Sequence, residues 1–220
     1  MNLIDLDYVF EVNETLDIQV KEESWGRYIY VDNFWKRPEE IKKLSLSTHP
    51  IKLPGIYSSK DNGKKYYDGR IQFAFYDVPK FSEVIYHIAV KFFNQDPNKL
   101  RIRWDNPFIL FGNIFQMFNK KFNKYKTHHY VPHTDGETHI AATWYMNENY
   151  AEGEGTGLYT NIESPTKSPW CKDSKLLGVI PAKYNRLVMY HGNIPHAQIV
   201  TERWFTEKRI SLVQFLWSPN

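Results

Sequence analysis

The sequence predicts a mainly β protein of the α+β class, a jelly-roll barrel carrying supporting N-terminal helices on one side. Three observations predict it. From Asn106 onward six segments are β-branched or aromatic-rich with turn residues between them: Phe108 to Phe118, His139 to Met146, Leu176 to Ile180, Arg186 to Tyr190, Ala197 to Val200 and Arg209 to Trp217. Before Asn106, two stretches have helical periodicity instead. The chain's 220 residues, 42% of them hydrophobic, suffice for one sizeable core and not for two. One domain spanning 1–220 is expected, with 1–105 as support and 106–220 as the jelly-roll core.

The support region begins with strands. Leu16, Ile18 and Val20 alternate with polar residues, and Arg27 to Val31 is a second β-rich run. Arg37-Pro38-Glu39-Glu40 then places proline at a first helical position with acids in the first turn, and Ile41, Leu44 and Ser45 share one face. A helix over about 38–47 follows from this spacing. After Pro79, the positions Phe81, Val84, Ile85, Ile88, Ala89 and Phe92 keep helical spacing, and His87 falls off that stripe as a surface residue. Ser58 to Gly69 reads as a loop before a strand from Arg70 to Tyr76. In the second half, Gly153, Gly155, Gly157, Pro165 and Pro169 interrupt the stretch 147–174, which reads as an irregular excursion near an open end of the barrel.

Composition excludes several classes. The single cysteine, Cys171, rules out an intrachain disulfide framework and zinc sites built from several thiolates, so a metal site must use His, Asp or Glu. The N-terminal Met-Asn-Leu-Ile-Asp-Leu-Asp lacks a basic-then-apolar signal pattern, and the chain has no apolar run of eighteen residues. A soluble, cytoplasmic protein with no membrane partner is expected. A net charge of +3 is too small to demand a polyanionic partner.

The chemistry concentrates in the second half. In an extended His133-Thr134-Asp135, residues i and i+2 project to the same side, so both can reach one metal ion. By itself this is weak: with eight histidines in the chain, about 0.4 His-x-Asp pairs arise by chance, and Asp135-Gly136 is also a good turn dipeptide. A two-histidine, one-carboxylate site needs a second histidine from elsewhere. His191 and His196 are the downstream candidates. His191-Gly192-Asn193 reads as a strand end running into a turn, whereas His196 opens the next strand, which favours His196. On the last strand Arg209, Ser211, Val213, Phe215 and Trp217 share a face. If the apolar members point inward, so does Arg209, whose donor fork suits a carboxylate, with Ser211 adding a hydroxyl. The plainer reading is a salt bridge to Glu202 or Glu207.

The order His133-x-Asp135, His196, Arg209-x-Ser211 resembles the signature of the 2-oxoglutarate/Fe(II) oxygenases, in particular their prolyl-4-hydroxylase-like branch. Pro132 to Gly136, Trp144-Tyr145-Met146-Asn147, Gly155 to Tyr159 and Asn185 to His196 carry the likeness, which spans 33–217 and is specific from about 113 onward. The resemblance implies a double-stranded β-helix, cupin-like fold. It also implies Fe(II), the cosubstrate 2-oxoglutarate and O2, and a reaction that yields succinate and carbon dioxide while hydroxylating a substrate. His133, Asp135 and His196 would then be the metal ligands and catalytic centre, Arg209 the partner of the distal carboxylate, and Ser211 its assistant. Asp135 argues against halogenation, because related halogenating enzymes lack the carboxylate ligand.

Relatives often supply a further 2-oxoglutarate contact roughly ten residues before the His-x-Asp; here Asn123 or Tyr125 would serve, or decorate a solvated hairpin, with Gln116 a comparable candidate. The flanks Glu152 and Glu154 of Gly155-Thr156-Gly157 depart from the family's more apolar versions. A peptide side chain or small molecule is the expected substrate. Lys120, Lys121, Lys124 and Lys126 interleave with Phe122 and Tyr125, as in a channel for single-stranded nucleic acid, or a charged hairpin face. His128, His129 and His139 are candidates for the mouth of the site. A cupin-type metal enzyme that does not use 2-oxoglutarate, and a non-catalytic jelly-roll module, are the alternatives.

Overall fold

The computed structural model describes residues 5–47, 70–76, 79–102, 108–115, 132–135, 138–160, 174–199, 201 and 210–217, with backbone alone at 46–47, 70–76, 79, 101–102 and 108–115. Two antiparallel sheets organise them. The larger runs β1 (Ile18–Glu23), β2 (Gly26–Val31), β9 (Arg186–His191), β6 (Thr138–Tyr145), β11 (Ser211–Trp217), β5 (Phe108–Phe115) and β3 (Arg70–Tyr76), and β4 (Arg101–Ile102) also pairs with β11. The smaller runs β10 (His196–Ile199), β7 (Gly155–Tyr159) and β8 (Leu176–Pro181). Among the described residues these are two separate ladders rather than one closed hydrogen-bonded barrel.

Strand alternation assigns each face of the larger sheet to a different layer. On one face Ile29, Val31, Ile140, Ala142, Trp144, Leu187, Met189, Leu212 and Leu216 meet the helices. Those helices are α1 (Leu6–Val9), α2 (Pro38–Ser47) and α3 (Pro79–Phe93). The expected helical faces are realised: Ile41, Leu44 and Ser45 of α2 are buried, as are Phe81, Ile85, Ile88 and Ala89 of α3. His87 is exposed, its Nδ1 2.7 Å from the Glu83 carbonyl. The short α1 was not expected; Asp5 caps it by accepting from the Tyr8 N–H at 3.1 Å. Rings of Phe10, Phe34, Trp35, Phe81 and Trp144 pack at centroid distances of 4.8–5.9 Å, which welds α1 and α3 to the sheet.

On the opposite face Tyr28, Ala141, Tyr145, Val188 and Tyr190 pack against Leu158 and Ile180 of the smaller sheet. This inter-sheet layer contains the candidate site. The smaller sheet corrects one expectation: Gly155 to Tyr159 is not part of an irregular excursion but the central, fully buried strand of its sheet. Its glycines disguise it, and they are there because of crowding. A Cβ on Gly155 would lie 2.0 Å from the Ile180 carbonyl oxygen, and one on Gly157 would lie 2.7 Å from Ile199 Cδ1.

Asn185 ties the N-terminal segment to the sheet. Its backbone takes the left-handed conformation with φ 57°, which asparagine tolerates in a turn. The buried side chain accepts from the Trp35 N–H at 2.9 Å and donates to the Trp35 carbonyl at 2.8 Å. Its own N–H donates to the Tyr145 carbonyl at 2.8 Å, and its carbonyl accepts from Phe34 at 3.0 Å. No described helix is long and apolar enough to cross a membrane.

Candidate metal centre

His196 opens β10, whose other neighbour is β7, where it pairs with the inward-facing Leu158. Cross-strand partners share a face, so the His196 imidazole looks into the inter-sheet layer. On its free side β10 meets the segment 132–135: His133 and His196 form an isolated antiparallel bridge. His133 N–H donates to the His196 carbonyl at 3.0 Å, and His196 N–H donates back at 2.9 Å. The two rings consequently lie on one side, with centroids 4.8 Å apart.

Asp135, two residues beyond His133, returns to the same side. Its N–H donates to the Gly192 carbonyl at 3.1 Å, fixing it against the turn between β9 and β10. Gly192 itself packs closely against β6, where a Cβ would lie 2.7 Å from the Thr138 carbonyl oxygen. The Asp135 carboxylate reaches both histidines, with Oδ1 3.8 Å from His133 Nε2 and Oδ2 3.2 Å from His196 Nε2. The potential ligand atoms of all three lie within 4.8 Å of one another. Neighbouring ligands of one octahedral ion stand about 3 Å apart at bond lengths near 2.1 Å, so small side-chain rotations bring this set onto a metal.

The surroundings define the state of each ring. His196 Nδ1 lies 2.9 Å from the Ile194 carbonyl, to which it donates, leaving the Nε2 lone pair inward. Burial acts to lower the His196 pKa, but the Asp135 carboxylate and the Ile194 carbonyl together hold it above its ordinary value. The pocket thus attracts positive charge at Nε2. Tyr190 of β9 packs edge-on to His196 at 5.0 Å. Burial first, then the Asp135 charge, keeps its phenol neutral well above the ordinary range. Beyond it the Tyr145 hydroxyl lies 2.6 Å from Thr156 Oγ1, linking β6 to β7 across the layer.

The fold brings His133, Asp135 and His196 together and sends His191 elsewhere. His191 stands opposite Ile140 on the helix-facing side, its ring edge-on to Phe93 at 5.1 Å. Ser211, Val213 and Phe215 sit opposite Tyr145, Thr143 and Ala141, and so face the inter-sheet layer as the strand pattern expects. His139 is exposed on β6. Arg209, Asn123, Tyr125, Gln116, His128, His129 and the lysine-rich segment lie outside the described residues. Sequence reasoning missed Tyr190, Thr143 and Thr156, whose only signal is inward parity on strands. It also read Glu154 as loop shape: buried, its carboxylate accepts from the Ala151 N–H at 2.9 Å and from the Thr201 N–H at 2.9 Å.

No family model and no curated protein matches the chain. Among solved structures it is similar to the epimerase SnoN in complex with Fe3+, alpha ketoglutarate and nogalamycin RO, with a TM-score of 0.54 and 13% identity over 87% of this chain and 78% of that one. The fold is a double-stranded β-helix, as in SnoN. Prolyl 4-hydroxylases from Pseudomonas putida (TM-score 0.42, 11% identity, 83% of each chain) and Phytophthora capsici (0.43, 11%, 87% of this chain and 58% of that one) match more loosely. In this double-stranded β-helix the smaller sheet and the 132–135 segment present the cluster to the larger sheet.

Proposed function

We propose that this protein is an Fe(II)- and 2-oxoglutarate-dependent dioxygenase, a hydroxylase of a peptide side chain or small molecule. One observation carries the reading: two imidazoles and one carboxylate converge within 4.8 Å on the inner side of a double-stranded β-helix. His133, Asp135 and His196 are the iron ligands. Two neutral imidazoles and one carboxylate suit a divalent ion and leave coordination positions for substrates. When bound, iron and 2-oxoglutarate supply oxygen activation, with succinate and carbon dioxide as co-products.

The chain's own residues orient and shield these groups. Ile194 sets the His196 tautomer through its carbonyl, and the Gly192 carbonyl holds Asp135 in place. Ser211, on the inward face of β11, offers a hydroxyl for the distal carboxylate of 2-oxoglutarate, with Arg209 as its cationic partner and Asn123 or Tyr125 as a further contact. The motif order supports a prolyl-4-hydroxylase-like member.

The test is anaerobic addition of Fe(II) and 2-oxoglutarate. A weak visible charge-transfer band is expected, followed in air by succinate formation that a panel of peptides, metabolites and nucleic acids stimulates selectively. Metal uptake without the band would favour a cupin-type enzyme that does not use 2-oxoglutarate. No metal uptake would leave a binding module.

A further inference from the structure

At the end of the larger sheet nearest the cluster, the Thr138 hydroxyl Oγ1 and the Trp217 indole Nε1 are buried and have no hydrogen-bond partner among the described residues. Thr138 opens β6, Trp217 closes β11, and the two stand opposite each other, so their side chains share a face. That face is the inner one. Trp217 follows Phe215 by two along β11, and Phe215 packs in the inter-sheet layer. The pairing skips His139, an extra residue on β6, and this bulge turns Thr138 inward although Ile140 faces the helices. Gly192, two residues beyond the inward Tyr190, gives the same direction: a Cβ there would meet Thr138 Cγ2 at 2.8 Å. The Gly192 carbonyl also holds Asp135, whose own carbonyl accepts from the Thr138 N–H at 3.3 Å. The pair therefore adjoins the metal cluster at Asp135.

Packing does not call for these polar atoms. Valine at 138 and phenylalanine at 217 would fill the space without stripping a hydroxyl and an indole N–H of water, a cost that native interiors nearly always avoid. Thr138 is 2% exposed, so solvent does not offset it, and the two groups do not bond each other. An indole N–H only donates and a hydroxyl can donate, so together they suit an acceptor oxygen lodged between them. The neighbouring Asp135 carboxylate disfavours a second anion, which selects a neutral carbonyl over a carboxylate. We propose that Thr138 and Trp217 are substrate-binding residues, holding a neutral carbonyl oxygen of the substrate between the hydroxyl and the indole N–H beside the metal. Trp217, half-buried at the end of β11, is the side chain that gives way as the oxygen enters. This rests on the reading of His133, Asp135 and His196 as metal ligands, and it narrows the substrate to a molecule with a neutral carbonyl near the carbon to be oxidised, as a peptide has.

The experiment follows the Trp217 indole N–H by NMR in protein carrying isotopically labelled tryptophan and loaded with Zn(II) in place of iron, the resonance being assigned by its loss in Trp217→Phe. N-acetyl amino-acid amides are titrated as neutral-carbonyl probes and acetate as the anionic one, with affinity read from the probes' own signals. An amide is expected to move the resonance downfield, as a newly formed hydrogen bond does, while acetate leaves it in place. Thr138→Val and Trp217→Phe are each expected to bind that amide about tenfold more weakly, and Thr138→Ser to bind it as wild type does. Neither weakened variant should lose melting temperature, because each removes a buried group that had no partner. A resonance already downfield in the free protein, with a cross-peak to trapped water, would overturn the proposal. So would a response to acetate alone, or variants that lose melting temperature and keep their affinity. If Zn(II) is not taken up, the ligand assignment has failed; if Zn(II) binds and no amide moves the resonance, this inference fails by itself.

Discussion

His133 and His196 stand directly opposite each other across an antiparallel bridge and exchange both backbone hydrogen bonds, at 3.0 and 2.9 Å. In such a pair the backbone sets how far apart the side chains begin and which side they share. The spacing of the two imidazoles therefore does not depend on a metal to draw them together. A site prepared in this way is expected to bind a divalent ion without refolding.

Removing any of the three proposed ligands should abolish that binding. His133→Ala, Asp135→Ala and His196→Ala are each expected to lose Co(II) or Fe(II) uptake while remaining folded. His191→Ala is expected to keep uptake, because His191 packs on Phe93 behind the sheet. Metal content after desalting checks this; uptake that survives in His196→Ala but not in a folded His191→Ala would sink the assignment.

Protons should compete with the metal at His196. Its pKa is raised above 6.5 by Asp135 and Ile194 against the pull of burial. Metal affinity should fall as pH drops through that raised value, since a protonated Nε2 has no lone pair. The metal-free fold should behave in the opposite sense. A raised native pKa contributes stability that is fully present below the unfolded value and lost as pH rises through the folded one. Asp135→Asn should flatten this trend in melting temperature; an unchanged profile would contradict the coupling.

Asn185 should be hard to replace. Alanine would strip the Trp35 N–H and carbonyl of their side-chain partners and would sit in a left-handed conformation at φ 57°. A loss of about 2–4 kcal/mol in urea unfolding is expected. Asn185→Asp, which retains an acceptor for Trp35, should lose less. Equal losses in the two variants would show that the bond to Trp35 N–H contributes little.

Gly155→Ala should disrupt the smaller sheet. The new methyl would lie 2.0 Å from a backbone oxygen that cannot rotate away. A loss of about 3 kcal/mol is expected, together with weakened metal binding, since β10 pairs with the same strand. A variant with wild-type melting temperature and metal uptake would mean that the β7–β8 pairing relaxes easily.

These glycines also explain what the sequence concealed. Strands in the larger sheet betray themselves by alternation, because their two faces meet different layers, and β3 and α2 fall where periodicity predicts. Gly155 to Tyr159 has both faces buried and backbone contacts in place of side chains, so its composition resembles a loop. Likewise His133-x-Asp135 is visible as spacing, whereas the bridge to His196 joins segments remote in sequence. That His196 rather than His191 joins His133 and Asp135 was readable because a strand end and a turn fall between them. Tyr190 was not, since one inward aromatic among many has no local mark.

One feature of β6 has a cost for folding fidelity. Its odd residues Ala141, Thr143 and Tyr145 face the site, and its even residues Ile140, Ala142 and Trp144 face the helices. A slip of one residue against β9 and β11 would turn the Trp144 indole toward the cluster and drive two hydroxyls into the apolar helix layer. A misregistered chain would thus be unstable and inert together, so the native alignment is the one that both survives and can work.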